Sequence, residues 1–224
     1  MDFPKYPRTY HLEGSKGIKE SNNIPFNSIL GVNLVVEEKV DGSCVGIAFD
    51  QERLILKHRN NEVNGMEWDL LKKWIKDQEE LFYDILENRY IMYGEWLYAT
   101  HTIYYDKLPH FFLEYDIFDR YKQCFLSTPQ RQEILKNTPI TSVKCLSQGV
   151  FNSNKDIISL LGPSYYRSNG NMEGLYLKVE DNDGVKNRYK FISKEFLDGI
   201  LSSGTHWMNR FLCKNIALGV NDVG

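Results

Sequence analysis

The sequence has no Cys-x-x-Cys pair, and its four cysteines, Cys44, Cys124, Cys145 and Cys213, show no metal-ligand spacing with the five histidines. That excludes a zinc ribbon or a thioredoxin-type redox motif and fits reduced thiols inside a cell. No apolar run approaches the roughly 20 residues that a membrane helix needs, and residues 1–10 are polar and proline-containing, unlike a signal peptide. The expectation is a protein with no membrane association, cytoplasmic or, in a eukaryote, nuclear. Nor is there an excess of positive charge. With 27 Lys and Arg against 30 Asp and Glu the formal net charge is −3, so a nucleic-acid partner would have to meet cations concentrated in one groove. Repeats, low-complexity tracts and linker-like stretches are also missing, which points to a single α+β domain over residues 1–224. The 42% hydrophobic and 13% aromatic content is ample for its core.

What is present begins with a lead-in, residues 1–31, that mixes Pro, Gly, Ser and Asn with Lys5, Arg8, Lys16 and Lys19 and reads as irregular. Strands are expected at 32–38, 43–50 and 53–58, the first running into a tight Asp41-Gly42 turn. Trp68, Leu71, Ile75, Phe82, Ile85 and Leu86 recur at helical spacing and predict one amphipathic helix over 67–88. Strands at 90–97 and 111–119 flank a Tyr- and His-rich loop. Thr128 followed by Pro129 predicts a helix start with Thr128 as cap, and Ser153 with Asp156 predicts another. A polar loop, 162–171, precedes a hairpin pairing 173–180 with 185–192 across Asn182-Asp183-Gly184, and a helix from about Lys194 follows.

The chemistry centres on Lys39, at the mouth of the first strand. A lysine fixed there and neutralised by cationic neighbours or a metal could attack an electrophile and form a covalent intermediate. Gly42 would let a phosphate approach the backbone, and Asp41 could hold the amine or hydrogen-bond the loop. Lys-x-Asp-Gly alone equally describes a surface hairpin. Further charged residues fall where strand periodicity gives them a shared face: Lys57-His58-Arg59, Gly94-Glu95, Glu173-Gly174 with Lys178, and Arg188-Tyr189-Lys190. Such a set suits a nucleoside triphosphate. Cations cradle phosphates, one carboxylate meets ribose hydroxyls, another holds a divalent metal, and an aromatic stacks on the base.

In this order, Lys39-Val40-Asp41-Gly42, Arg59, Gly94-Glu95, Phe112-Leu113-Glu114-Tyr115-Asp116-Ile117, Glu173-Gly174 with Lys178, and Arg188-Tyr189-Lys190 resemble the motif series of covalent nucleotidyltransferases. That superfamily comprises ATP-dependent RNA and DNA ligases and mRNA capping guanylyltransferases. The resemblance narrows to compact ATP-dependent RNA ligases through Tyr6-Pro7-Arg8-Thr9 with His11-Leu12, Tyr93-Gly94-Glu95-Trp96-Leu97, His101-Thr102-Ile103, Met172-Glu173-Gly174-Leu175-Tyr176 and His206-Trp207. It implies the ligase adenylation-domain fold, with antiparallel sheets flanked by helices around a nucleotide cleft. It implies that Lys39 takes AMP from ATP as a lysyl-AMP phosphoramidate, passes it to an RNA 5′-phosphate, and that a 3′-hydroxyl then displaces it. By the same resemblance Tyr115 would stack on adenine, Glu95 would bind ribose, and Arg59 would contact sugar or phosphate. Glu173 would serve a metal, Lys190 would hold the α-phosphate, and Lys178 and Arg188 would help the phosphates. Glu37 or Glu38 would meet the adenine edge. Mg²⁺ or Mn²⁺ would offset the charge developing on the phosphates, and Arg188, Lys190 and the metal would lower the Lys39 pKa.

Two departures stand out. The superfamily's last motif commonly reads Lys-x-Lys, whereas here Arg188 holds the first place and keeps the charge in a planar fork. About thirty residues follow Lys190, too few for the OB-fold that DNA ligases and capping enzymes carry after this domain, so the compact RNA-ligase type without an OB-fold is expected. RNA would then be gripped by lead-in cations with Lys194, Arg210 and Lys214, or these are ordinary solvated charges. A different nucleotidyltransferase and a non-catalytic nucleotide- or RNA-end-binding module are the alternatives. An RNA end-processing partner is compatible with the reading.

Overall fold

The structure, a computed structural model, describes residues 3–15, 23–58, 61–194, 196 and 213–219. Lys16, Lys19, Arg59, His206, Trp207, Arg210 and nearly all of the helix expected from Lys194 lie outside the described residues. In chain order the strands are β1 (Tyr10–His11), β2 (Asn33–Lys39), β3 (Ser43–Asp50), β4 (Arg53–His58), β5 (Asn61–Glu62), β6 (Tyr90–Trp96), β7 (Phe112–Asp119), β8 (Cys124–Phe125), β9 (Cys145–Val150), β10 (Gly174–Asp181) and β11 (Gly184–Ile192). The helices are α1 (Asp69–Asp77), α2 (Glu79–Leu86), α3 (Thr128–Leu135) and α4 (Asn154–Ile158). They form two sheets, ordered β1-β11-β10-β2-β9 and β5-β4-β3-β6-β7-β8. Neighbours are antiparallel except β1, which lies parallel to β11. The α+β class with antiparallel sheets is as expected.

β2 and β3 are not a hairpin. β2 is flanked by β10 and β9, and β3 by β4 and β6. With both edges of each strand occupied, residues 40–42 carry the chain from one sheet to the other. Lys39, the last residue of β2, therefore stands at the junction between sheets, paired with Gly174 of β10. Gly174 answers to close approach: a Cβ there would fall 2.0 Å from the Phe191 carbonyl oxygen.

The five-stranded sheet is two-faced, as the strand period of two requires. Leu34, Val36, Leu175, Leu177, Tyr189 and Phe191 join Leu12, Phe26, Ile29 and Ile157 in one apolar cluster. The alternate residues Glu37, Lys39, Tyr176, Lys178, Arg188 and Lys190 face the other sheet. A second, larger core runs from β3, β6 and β7 to Leu71, Ile75, Phe82 and Leu86 of the helices. The single helix expected over 67–88 is two, because Gln78 leaves helical geometry at φ −127° and ψ 28°. Across the break Trp74 and Phe82 meet edge to face at 5.0 Å. The α3 cap is Ser127, whose N–H donates to Gln130 Oε1 at 2.9 Å. Thr128 cannot serve there, since its hydroxyl and its N–H both donate to Glu180. The α4 cap is as expected, with Ser153 Oγ accepting from the Asp156 N–H at 3.2 Å. No helix among the described residues is long and apolar enough to cross a membrane.

Between the sheets lies a buried set of three acids and three bases. Arg131 of α3 bridges Glu37 of β2 at 2.9 Å and Glu114 of β7 at 2.7 Å. Lys178 of β10 meets Glu37 at 2.8 Å and Asp116 of β7 at 3.3 Å, and Arg188 of β11 meets Asp116 at 2.9 Å. Burial alone would raise the Asp116 pKa, but Arg188, Lys178 and Arg131 outweigh it and hold the carboxyl ionised. Removing one partner strands a buried charge, which typically costs about 3–5 kcal/mol. Lys178→Met is therefore expected to lose about 3 kcal/mol or more in urea unfolding, whereas Lys73→Met, which breaks the exposed Lys73–Asp77 pair, should lose at most about 1 kcal/mol.

Candidate active site

At the sheet junction the Lys39 amine donates to Glu173 Oε2 at 2.5 Å. Burial by itself would lower the Lys39 pKa, but the carboxylates of Glu173, Glu95 and Asp41 outweigh it and raise it. Without ligand the amine is thus a paired ammonium, opposite to the depressed pKa expected from Arg188 and Lys190. The reason is positional: Arg188 is occupied by Asp116 deeper between the sheets, whereas Glu173 immediately precedes β10 and reaches Lys39 directly.

Glu95 comes from the other sheet. Its Oε1 accepts from the Gly42 N–H at 3.1 Å, and a Cβ on Gly42 would come within 2.7 Å of the Trp96 carbonyl oxygen and the Leu97 side chain. Gly42 is therefore required by the close passage of β6, a constraint separate from any phosphate. Asp41 points away to pin the loop: its Oδ2 accepts from the N–H groups of Thr102 (2.7 Å) and Ile103 (3.2 Å), while its own N–H donates to Tyr105 Oη (2.8 Å). That loop is held in turn by Asn215, whose Oδ1 accepts from Thr100 Oγ1 and the Tyr105 N–H, both at 2.8 Å.

Next to Lys39 opens a cavity of about 180 Å³ lined by Tyr6, Glu38, Glu95, Tyr115, Tyr176 and Lys190, among others. Tyr115 Oη donates to Cys44 Sγ at 2.8 Å, fixing the ring. Tyr6 meets that ring edge-on at 5.2 Å, and its hydroxyl lies 2.6 Å from that of Tyr176. Lys190 lines the cavity with its pKa lowered by burial and then by Lys39. Glu38 holds Ser164 Oγ at 2.5 Å and the Tyr165 N–H at 2.9 Å, while Glu37 is taken by Arg131 and Lys178. Both carboxylates thus already have protein partners. The structure brings together Lys39, Glu95, Tyr115, Glu173 and Lys190. It sets Lys178 and Arg188 in the inter-sheet network and outside the cavity lining.

Tyr6, Thr9, Cys44 and Tyr176 also line the cavity and escaped the sequence reading. Tyr176 was within reach, since it alternates with Lys178 on one face of β10. Tyr6 and Thr9 enter only within the family-like segment Tyr6-Pro7-Arg8-Thr9, with no role attached, because a lead-in without periodicity does not reveal where it docks.

Three carboxyl groups, Asp41, Glu95 and Glu173, act on the Lys39 amine. Among the described residues no group of three or more His, Cys, Asp or Glu is placed to hold a metal ion alone. The donors fit a hard divalent ion bound through one or two carboxylates that draws its other ligands from phosphates and water. Burial, opposed by Lys39, pushes Glu95 from its ordinary 4.5 to about 8, and burial likewise raises Glu173. A raised carboxyl pKa favours the folded state while the group is protonated. The ligand-free protein should therefore lose stability as pH climbs from about 4.5 to about 7 for Glu173 and to about 8 for Glu95, with a slope of up to about 1.4 kcal/mol per pH unit for each group within its own range. Thermal melts across this range should show the fall, and Glu95→Gln should flatten it.

A family model described as RNA ligase matches residues 32–192. Among solved structures, the Naegleria gruberi RNA ligase with PPi is similar at a TM-score of 0.62 and 22% identity, covering 88% of this chain and 60% of that one. A lysine-to-alanine mutant of the same ligase, with ATP and Mn, gives 0.61 and 21%, covering 77% and 53%. A lysine-to-methionine mutant with AMP and Mn gives 0.59 and 21%, over the same shares. The chain spans a little over half the length of these structures and shares their fold. A search of curated proteins returned no match.

Proposed function

The chain belongs to the RNA ligase family, and from that premise we propose that it seals RNA 5′-phosphate and 3′-hydroxyl ends with ATP. The observation that carries this is the Lys39 amine, held at the sheet junction by Glu173 and opening onto a tyrosine-lined cavity that also presents Glu95 and Lys190. The Naegleria ligase was solved with ATP, AMP, PPi and Mn, which supports the same co-substrate and a divalent ion here.

In the first step Lys39 Nζ attacks the α-phosphorus of ATP. A P–N bond forms, the bond to the bridging oxygen breaks, and pyrophosphate leaves. For this the ammonium must give up its pairing with Glu173 and pass a proton to solvent. Glu173, with Glu95 nearby, would hold Mg²⁺ or Mn²⁺, whose positive charge would offset the charge developing on the phosphates. Lys190, beside the amine, holds the α-phosphate, and Tyr115 presents its ring to adenine with Tyr6 and Tyr176 as further walls. Glu95 takes the ribose hydroxyls. Glu37 and Glu38 both line the cavity, and Glu38 is the better placed to face the base edge because Glu37 is tied into the ion network by Arg131 and Lys178. Asp41 positions the Lys39 turn through the 102–105 loop. In the second step an RNA 5′-phosphate oxygen attacks the same phosphorus, the P–N bond breaks, and the amine is regenerated. In the third, a 3′-hydroxyl attacks the RNA 5′-phosphorus and AMP leaves.

Lys178 and Arg188 act in this reading through the inter-sheet network that seats Glu37 and Tyr6, and Arg59 keeps its assignment to sugar or phosphate from the resemblance alone. Residues 1–224 are taken as one catalytic domain. That none of the four cysteines forms a disulfide supports a cytoplasmic or nuclear setting, where an end-processing partner would supply the 5′-phosphate and 3′-hydroxyl.

Purified protein incubated with α-labelled ATP and a divalent ion should carry label through denaturing electrophoresis. Lys39→Ala should abolish it, and Glu173→Gln should reduce it at least about tenfold, in the range of one lost electrostatic contact. Labelling by GTP in place of ATP would point to guanylyl transfer, and no label with either nucleotide, from protein free of bound AMP, would sink the proposal.

A further inference from the structure

The lead-in is built into the site. Tyr93 Oη donates to the Pro4 carbonyl at 2.6 Å, Tyr6 Oη donates to Asp116, and β1 pairs with β11 so that His11 lies opposite Lys190. Phe3 packs edge-on against Tyr93 at 6.2 Å and fills the space over Gly46, where a Cβ would approach its ring to 2.7 Å. Between this segment and β3–β4 runs a second cavity of about 860 Å³ that shares Tyr6, Thr9, Cys44 and Lys190 with the tyrosine-lined one.

The charge along this groove is one-sided. Lys5 and Arg8 line it from the lead-in, Lys57 from β4 and Lys190 from β11, while no acidic side chain among the described residues lines it. In a chain of formal net charge −3, four cations around one concavity concentrate positive potential against the overall balance. His11, also in the lining, senses this: burial, then Lys190, Lys39 and Arg8, lower its pKa to about 4, so at neutral pH it is an uncharged imidazole whose Nδ1 is paired with Ser15 Oγ at 2.9 Å. Lysine and arginine lining one groove suit a phosphate backbone and carry no base preference.

We propose that the groove between the lead-in and β3–β4 seats the 5′-phosphorylated end of the RNA, its terminal phosphate at Lys190 and the following phosphates on Lys5, Arg8 and Lys57. This rests on the RNA-ligase reading and assigns its donor strand. Lys190, common to both cavities, sets the terminal phosphate beside the phosphorus carried on Lys39. An 860 Å³ groove with three cations beyond Lys190 exceeds what the two phosphates of a leaving pyrophosphate require.

The test compares wild type with Lys5→Glu/Arg8→Glu and with Lys57→Glu, positions that are exposed or half-buried and whose substitution leaves the core untouched. By fluorescence anisotropy, wild type should prefer a 5′-phosphorylated RNA single strand over its 5′-hydroxyl twin. The variants should bind the phosphorylated strand about tenfold or more weakly, with the salt slope reduced by about one per cation removed. In parallel, protein already labelled with AMP is chased with the phosphorylated RNA or with pyrophosphate, and the variants should lose far more of the RNA chase than of the pyrophosphate reversal. Equal losses in the two chases would assign the groove to pyrophosphate and overturn the proposal, as would unchanged RNA binding. If wild type never becomes labelled, the ligase reading fails by itself, and the anisotropy arm still decides whether the groove recognises a 5′-phosphate.

Discussion

The buried exchange of charge between the two sheets is the constraint on which the rest of the molecule depends. Glu37, Glu114 and Asp116 on one side of the account, and Arg131, Lys178 and Arg188 on the other, balance across strands of both sheets and one helix. Such pairs add little net stability over apolar packing, yet they penalise any arrangement that leaves a member unpaired. They therefore fix which strand faces which, and with that the geometry at the upper end of the joint. Tyr6 extends the set to the lead-in through Asp116, so the segment that walls both cavities is registered by the same network.

At the end of that joint the balance fails. Around Lys39 the three carboxyl groups of Asp41, Glu95 and Glu173 outnumber the amines of Lys39 and Lys190, and burial leaves Glu95 and Glu173 with raised pKa values. A buried site with surplus acid suits incoming cations, and in the proposed reaction the Lys39–Glu173 pair holds the amine until they arrive. The adjoining groove has the opposite excess, with Lys5, Arg8 and Lys57 and no acid among its described lining. An acid-rich site and a cation-lined groove thus meet at Lys190. On the proposed reading a triphosphate with its metal suits the first, and a phosphorylated strand suits the second.

Much of this was legible in the chain. β6 and β7 follow from short apolar and aromatic runs and the β10–β11 hairpin from its turn residues, which are local properties, and the Ser153 cap is a contact three residues long. Lys39, Glu95, Tyr115, Glu173 and Lys190 were singled out from motif order and meet at one place. Elsewhere local rules reached their limit. Thr128 looked like a cap because hydroxyl followed by proline is a cap signature, but Glu180, distant in sequence, claims its hydroxyl. Lys178 and Arg188 looked like phosphate ligands because period two set them beside Lys190, and period two says nothing of depth.

By itself the sequence determined the alternating faces and the α+β class, because these rest on side-chain type and short-range periodicity, and its motif order marked Lys39 as the candidate nucleophile. Only the tertiary structure decided that residues 40–42 cross between sheets, that Lys39 rests on Glu173, and that Tyr6, Arg8 and Lys5 line the site from the far end of the chain. These are pairings between segments that no spacing relates. They are selected by which strand edges are already occupied and which buried charges must be matched, and both are settled only when the whole chain has closed on itself.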